Sequence, residues 1–490
     1  MSNLRNHAVS GARWTGASQA VAFTLQMLQL AALARLLPAK DFGLMSMITV
    51  VCGFGQAFSD AGLSKALIQR RDLPPRTLNT LYWTGLIAGG ALFLLVFLGA
   101  PLVALFYGEP HLREPLVLAA LGFFLLPLGQ PYIALLQKEL RFRALALAEV
   151  GGTLAAAVCA VSLAWGGFGI FALVWGQLAG YGVRSLMAMV AGSRTWLPRR
   201  EFHLSDLKDL RGFGAFQMGE RAVNFISANL DYLLIGRILG SEALGIYTLA
   251  YRLVVFPVQR INPVLTRVAF PLFALRQDRE DLLCRGYIAL QKVLALVSFP
   301  LLMGLAATAP LLVPLVFGPK WLPAADLVPA LVLLGLCKTL LNPSGSLLLA
   351  KNRPDLGFYW NLGTALLNLL FFLLALQQGL MLMAWTHGLI YLFYFFGMTL
   401  LLHHLVRLSP WVWLGALMAP AGAALGMAIC VDVAVHLGTS LGLPPAALLG
   451  TGIVLGGAIY ILGLLWVDRK GVRELMQLVF KERKEASCRI

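Results

Sequence analysis

Asn229-Leu-Asp231-Tyr-Leu-Leu-Ile-Gly236-Arg237-Ile-Leu-Gly240-Ser241-Glu242-Ala-Leu-Gly245-Ile-Tyr247 decides the fold. It begins as an apolar helix carrying a lone Asp231, turns at Gly240-Ser241, and starts a second apolar helix at Leu244. A weaker copy lies 202 positions earlier, without a gap: Arg35-Leu-Leu-Pro38-Ala-Lys40-Asp41-Phe-Gly43-Leu44. Arg35/Arg237, Leu37/Leu239 and Gly43/Gly245 are identical; Leu36/Ile238, Phe42/Leu244 and Leu44/Ile246 are conservative. Upstream, Ala20-Val21 falls on Ala222-Val223 at the same offset. The repeat predicts two related lobes, each opening with a helical hairpin.

Working outward, the composition names the solvent. Hydrophobic residues are 59% of the 490 and charged ones 13%, with a mean hydropathy of +0.77. Apolar runs of about 18 or more residues recur from end to end, which predicts an all-α polytopic membrane protein. A membrane barrel would show short alternating segments instead. The first apolar segment is long and no small-residue cleavage site follows it, so no cleavable signal peptide is expected. The 49 glycines suit helices that approach closely in lipid.

About fourteen transmembrane helices are expected, at 13–34, 42–64, 79–105, 115–137, 146–166, 168–190, 212–237, 244–268, 286–316, 325–349, 356–376, 379–402, 411–432 and 445–467. This gives an N-terminal lobe at 1–193 with six helices, a cytoplasmic linker at 194–211, and a second lobe at 212–404. Two further helices follow at 405–467, then a basic tail at 468–490. With the N-terminus in the cytoplasm, 29 of the 39 Lys and Arg fall in inner loops and ends. Only Arg35, Lys40, Arg113, Arg237 and Lys320 fall outside. That asymmetry places both termini in the cytoplasm, and it accounts for the net charge of +16 without a nucleic-acid partner. Ser205 or Asp206 suits a cap for the seventh span. Val472, Leu475, Met476 and Val479 suit an amphipathic tail helix on the inner leaflet, and a solvated tail fits the same residues.

Polar residues inside spans are costly, so their spacing points to function. Glu220, Asn224, Ser227 and Asp231 share one face of span 7, and Arg252, Gln259 and Thr266 repeat every seven residues in span 8, flanked by Arg260 and Asn262. Span 1 shows Thr15, Ser18, Gln19, Gln26 and Gln29. Span 2 shows Ser46, Thr49, Gln56 and Asp60, with Gly53 among them. Four striped helices at matched places predict a polar cavity; hydrogen bonding between helices is the other reading. The basic residues within spans, Arg221, Arg252, Arg260, Lys292 and Lys338, all belong to the second lobe. They are candidate holders of an anionic, phosphate-bearing substrate, since Arg grips phosphate with two parallel hydrogen bonds. Salt bridging or snorkelling is the plainer role for each. Asp231, Asp60, Glu220 and Glu149 are candidate sites for a coupling H+ or Na+.

Chemistry of other kinds is not signalled. Cys52, Cys159, Cys284, Cys337, Cys430 and Cys488 are scattered, which argues against disulfides and metal clusters. His387, His403 and His404 have no metal-ligand partner at useful spacing. No Walker A or dinucleotide fingerprint is present. No cofactor, no catalytic residue and no ATP drive are expected.

Several short motifs, in order, carry a resemblance: Gly11-Ala-Arg13-Trp14, the Arg35–Leu44 turn, Phe58-Ser-Asp60-Ala-Gly62-Leu, Phe106-Tyr-Gly108, Leu207-Lys-Asp-Leu-Arg-Gly-Phe213-Gly214, Asp231 to Tyr247, and Val316-Phe-Gly318. The chain resembles the polysaccharide flippases, O-antigen and colanic-acid type, of the multidrug/oligosaccharidyl-lipid/polysaccharide exporter superfamily. The resemblance spans essentially the whole chain and is strongest up to about residue 360. It implies a V-shaped pair of six-helix lobes plus two C-terminal helices, moving by alternating access in the bacterial inner membrane. It implies an undecaprenyl-pyrophosphate-linked oligosaccharide as substrate, held at its pyrophosphate by basic residues, in lipopolysaccharide or exopolysaccharide synthesis beside a polymerase or assembly machinery. A cation-coupled multidrug antiporter of the same fold would need an acidic, aromatic-lined cavity, against the charge balance here. A glycan polymerase or ligase would need a large outer loop with Arg and His groups, and the outer loops here are short. A non-transporting scaffold would not need buried charges.

Overall fold

The protein is described by a computed structural model over residues 2–59, 75–202, 222–274, 280–406 and 409–467. The Ser205/Asp206 cap and the tail helix lie outside the described residues.

In chain order the first helices are α1 (Ser2–Leu36), α2 (Ala39–Ser59), α3 (Pro75–Tyr107), α4 (Arg113–Ala120), α5 (Gly122–Lys138), α6 (Phe142–Trp165) and α7 (Ile170–Gly192). A helical stretch at 222–228 leads into α8 (Leu230–Ile238) and α9 (Gly240–Ala274). Then come α10 (Glu280–Phe317), α11 (Leu322–Ala350), α12 (Pro354–Leu376), α13 (Leu380–Val406), α14 (Pro410–Ser440) and α15 (Pro445–Val467). Ten membrane-crossing helices, long and apolar enough to span, occur among the described residues. The other four expected spans fall on α2, α7, the 222–238 stretch and α9. The chain divides into two compact units, Met1–Gly245 and Ile246–Ile490, so α9 begins in the first and continues into the second.

The two six-helix lobes repeat in their turns. Gly108 ends α3 at φ +68 and a short 3-10 turn, Pro110–Leu112, follows; Gly318 ends α10 at φ +104 and Pro319–Trp321 follows. Those glycines are 210 positions apart, as are Gly169 and Gly379, which precede α7 and α13 at φ +54 and +106. Left-handed backbone is cheap only for glycine. Among the described residues, the two non-glycine residues with positive φ, Leu140 and Asn352, are 212 positions apart, and each lies two residues before a helix start. A fold that repeats its rare conformations as well as its common ones is a duplicated unit.

Small residues set the packing in the first unit. A Cβ added at Gly176 would fall 2.5 Å from the Ala160 Cβ, and one at Gly180 would fall 2.9 Å from the Ala156 Cβ, so α6 and α7 lie backbone to backbone. The segment after α7 is tied down as well. Trp196 Nε1 and the Arg199 N–H both donate to Asn79 Oδ1, at 3.2 and 3.1 Å, and Trp83 Nε1 donates to the Arg199 carbonyl at 2.8 Å.

The second unit carries a buried polar node. Gln291 on α10 donates to the Leu340 carbonyl on α11 and accepts from Trp413 Nε1 on α14; Tyr287 bonds Ser344 at 2.8 Å. Tyr460 on α15 donates to the Leu296 carbonyl at 2.9 Å. These bonds fasten the two C-terminal helices to α10. Pro300, Pro310 and Pro314 interrupt the hydrogen-bond ladder of α10.

Candidate functional site

The two hairpins of the repeat meet each other. A Cβ at Gly43 on α2 would fall 1.7 Å from the Ser241 carbonyl oxygen, and one at Gly245 on α9 would fall 1.9 Å from the Ala39 carbonyl oxygen. Ala39 and Ser241 are themselves 202 positions apart, like the two glycines. The crossing is therefore self-complementary, each repeat offering its partner the same glycine and the same carbonyl. Only glycine allows backbones so close.

A third element is wedged beside this crossing. Glu109, in the turn after α3, accepts a hydrogen bond from Ser241 Oγ through Oε1 and pairs with Lys40 through Oε2 at 3.4 Å. Arg237 lies over the Phe106 ring at 5.7 Å, and a Cβ at Gly236 would meet Tyr107 Cε1 at 2.9 Å. One carboxylate thus ties both hairpins to one turn. The Asp231 side chain is buried in α8 of the same unit.

The second unit holds a cation among rings. Lys338 Nζ on α11 donates to Tyr251 Oη at 3.1 Å and stands 5.7 and 5.9 Å from the Tyr251 and Tyr391 ring centres. His387, on α13 one turn before Tyr391, is buried and bonds Tyr247 Oη through Nδ1 at 2.8 Å, with Phe372 edge-on at 4.8 Å. Four helices, α9, α11, α12 and α13, build this nest. Cation–π contacts hold an ammonium without neutralising it.

The remaining expected residues are distributed as follows. Lys292, Gln26, Gln29 and Gln56 are half-buried, while Arg252, Asn224 and Gln259 are left uncovered by protein. A charge on a spanning helix is tolerated where it faces water rather than hydrocarbon. Glu149 pairs with Arg184 at 3.1 Å, both partly exposed, which gives it a structural partner between α6 and α7. Asp60, Glu220 and Arg221 lie outside the described residues. Arg260 and Asn262 sit on the backbone of α9, with their side chains outside the described set. Three stripe hydroxyls close on their own helix: Ser18 on the Thr15 carbonyl, Ser46 on Phe42 and Thr49 on Met45. Tyr247, Tyr251, Tyr391 and Glu109 are not anticipated from the sequence. The pairs Tyr247/Tyr251 and His387/Tyr391, each at i, i+4, were the available signal.

Comparison with known proteins then fixes the context. A family described as "Polysaccharide biosynthesis protein" matches residues 32–326. The teichuronic acid biosynthesis protein TuaB of Bacillus subtilis is 37% identical, over 87% of this chain and 89% of its own. The succinoglycan biosynthesis transport protein ExoT of Rhizobium meliloti is 28% identical, over 97% and 96%. Among solved structures, lipid II flippase MurJ in an inward closed conformation superposes with a TM-score of 0.77 at 12% identity, covering 95% of this chain and all of that one.

Proposed function

The chain belongs to the polysaccharide biosynthesis protein family and has the helices of a multi-pass membrane protein, and on that footing we propose that it flips a lipid-linked oligosaccharide across the inner membrane. The substrate is an undecaprenyl-pyrophosphate-linked repeat unit of a surface polysaccharide, delivered to the polymerase or assembly machinery on the far side. The protein acts by alternating access and makes or breaks no covalent bond.

The observation that carries the reading is the self-complementary glycine crossing. A duplicated hairpin that meets its own copy through one glycine and one carbonyl each can part and re-form as a unit. With both termini in the cytoplasm, as the basic residues argue, this crossing lies at the outer face. It is then the closed outer gate, latched by Glu109 through Ser241 and Lys40. The head group enters from the cytoplasm while its lipid tail stays in the bilayer.

Arg252 and Lys338 hold the pyrophosphate, with Arg221, Arg260 and Lys292 as further candidates. Lys338 supplies a compact charge beside the Tyr251 and Tyr391 rings. Outward movement of phosphate is downhill in an interior-negative membrane by about 2.3 kcal/mol per charge per 100 mV. Asp231 is the candidate group for binding a coupling H+ or Na+.

The test is expression in a bacterium lacking its own polysaccharide flippase, following lipid-linked repeat units and surface polymer. Loss of the inner-leaflet pool and return of polymer support the proposal. Persistent accumulation, with the protein present in the membrane and a matching glycan supplied, overturns it.

A further inference from the structure

Away from the basic residues of the second lobe, the first unit has two adjoining cavities that share a wall. One is a groove of about 470 Å³ between α3 and α4, lined by the apolar side chains of Phe93, Phe97, Val117, Leu118 and Leu121. The other, about 530 Å³, has a mixed lining that includes Asp41 and His111 beside Phe168 and Phe171. Arg113 and Glu114 line both. Leu94, Leu98 and Leu102, neighbours on α3, are exposed apolar side chains on a helix long and apolar enough to cross a membrane, a face suited to lipid. An apolar groove that meets, at an Arg and a Glu, a second cavity holding Asp41 and His111 has the layout of an amphiphile site.

The charges select the head group. Arg113 and His111 suit a phosphate. Asp41 and Glu114 suit an ammonium, and two carboxylates oppose a head group that is only anionic. Gly169, which the backbone needs at φ +54, stands beside Asp41, with a Cβ position 3.4 Å from a carboxylate oxygen. Carboxylates that accept hydrogen bonds favour a primary ammonium over a quaternary one, which has no N–H to donate. We propose that this double cavity binds a phosphoethanolamine lipid, with an acyl chain in the Phe93–Leu121 groove, the phosphate at Arg113 and the ammonium at Glu114 and Asp41. Because His111 and Arg113 directly follow Glu109, a bound head group also restrains the turn that ties the two hairpins together.

The test uses the purified full chain with defined lipids added: dioleoyl phosphatidylethanolamine, phosphatidylcholine and phosphatidylglycerol. The ethanolamine lipid is expected to raise the melting temperature most. A phosphatidylethanolamine with a photoreactive acyl chain is expected to label peptides containing Phe93, Phe97 or Leu118. Glu114→Gln and Arg113→Gln should lose the ethanolamine-specific shift, and Leu118→Trp, which fills the groove, should lose the label. Should Arg113→Gln fail to fold, the other two variants decide. Equal shifts from all three lipids, a larger shift from the glycerol lipid, or labelling confined to other helices would overturn the site.

Discussion

Replacing Gly43 by alanine puts a methyl carbon 1.7 Å from the Ser241 carbonyl oxygen and 2.6 Å from its carbon. Comfortable carbon contacts start near 3.5 Å, so α2 and α9 must part by about 1–2 Å. Both obstructing atoms are backbone, and no rotamer change relieves them. Overpacking of this kind costs about 1–3 kcal/mol. At tenfold per 1.4 kcal/mol, the closed crossing loses about 5- to 150-fold in population relative to any arrangement in which the helices are apart. Met47 is fully buried one turn further along α2. In a chain stripped of its native cysteines, Met47→Cys should therefore react with a membrane-impermeant maleimide far faster when Gly43→Ala is added. Gly245→Ala must act the same way, because its methyl would lie 1.9 Å from the Ala39 carbonyl oxygen. Gly99→Ala, where nothing lies within 4 Å, is the control. Unchanged labelling in both Gly43→Ala and Gly245→Ala would refute the gate.

Lys338→Gln should abolish transport at normal protein level, with Lys338→Arg retaining part of it; wild-type transport in a Lys338→Gln/Arg252→Gln double variant would sink the phosphate assignment. Burial raises the Asp41 carboxyl pKa, against a smaller opposing pull from Lys40. The stability its neutral form confers is complete below the ordinary carboxylate value of about 3.9 and is lost as pH rises through the raised one. Asp41→Asn should thus gain on the wild type in melting temperature as pH rises above the ordinary carboxylate value of about 3.9; a constant difference would contradict this. Asn79→Ala orphans the Trp196 and Arg199 N–H groups and should cost at least about 2 kcal/mol. Faster proteolysis at Arg199-Arg200 checks it, and an unchanged rate would show that the anchor contributes nothing.

Much of the fold was legible because lipid imposes one rule, internal satisfaction of the backbone, and hydropathy reports it directly. The hairpin copies at 35–44 and 237–246 revealed the duplication, and the positive-φ turns at Gly108/Gly318 and Gly169/Gly379 carry the same offset logic into the structure. What the sequence could not say is that Gly43 and Gly245 touch. A repeat shows that two segments are alike, not that they meet. The site was less legible for a related reason. Ser46 and Thr49 fit a polar stripe, but a hydroxyl on a helix can satisfy itself on the carbonyl four residues back, as both do. Lys338 was singled out by its charge, yet its setting depends on Tyr251 and Tyr391 from two other helices, and one-dimensional periodicity does not report which faces converge. Glu109 was passed over because a carboxylate in a loop next to a helix end is ordinary until Ser241 and Lys40 are seen to share it.

The most direct measurement is made on the purified protein in liposomes. A fluorescent lipid-linked oligosaccharide is placed in both leaflets, and an impermeant quencher is added outside. Transport predicts that fluorescence falls past the outer-leaflet fraction towards zero, and that Lys338→Gln stops at the outer-leaflet fraction. If liposomes carrying the wild-type chain also stop there, as protein-free liposomes do, the protein does not flip this substrate.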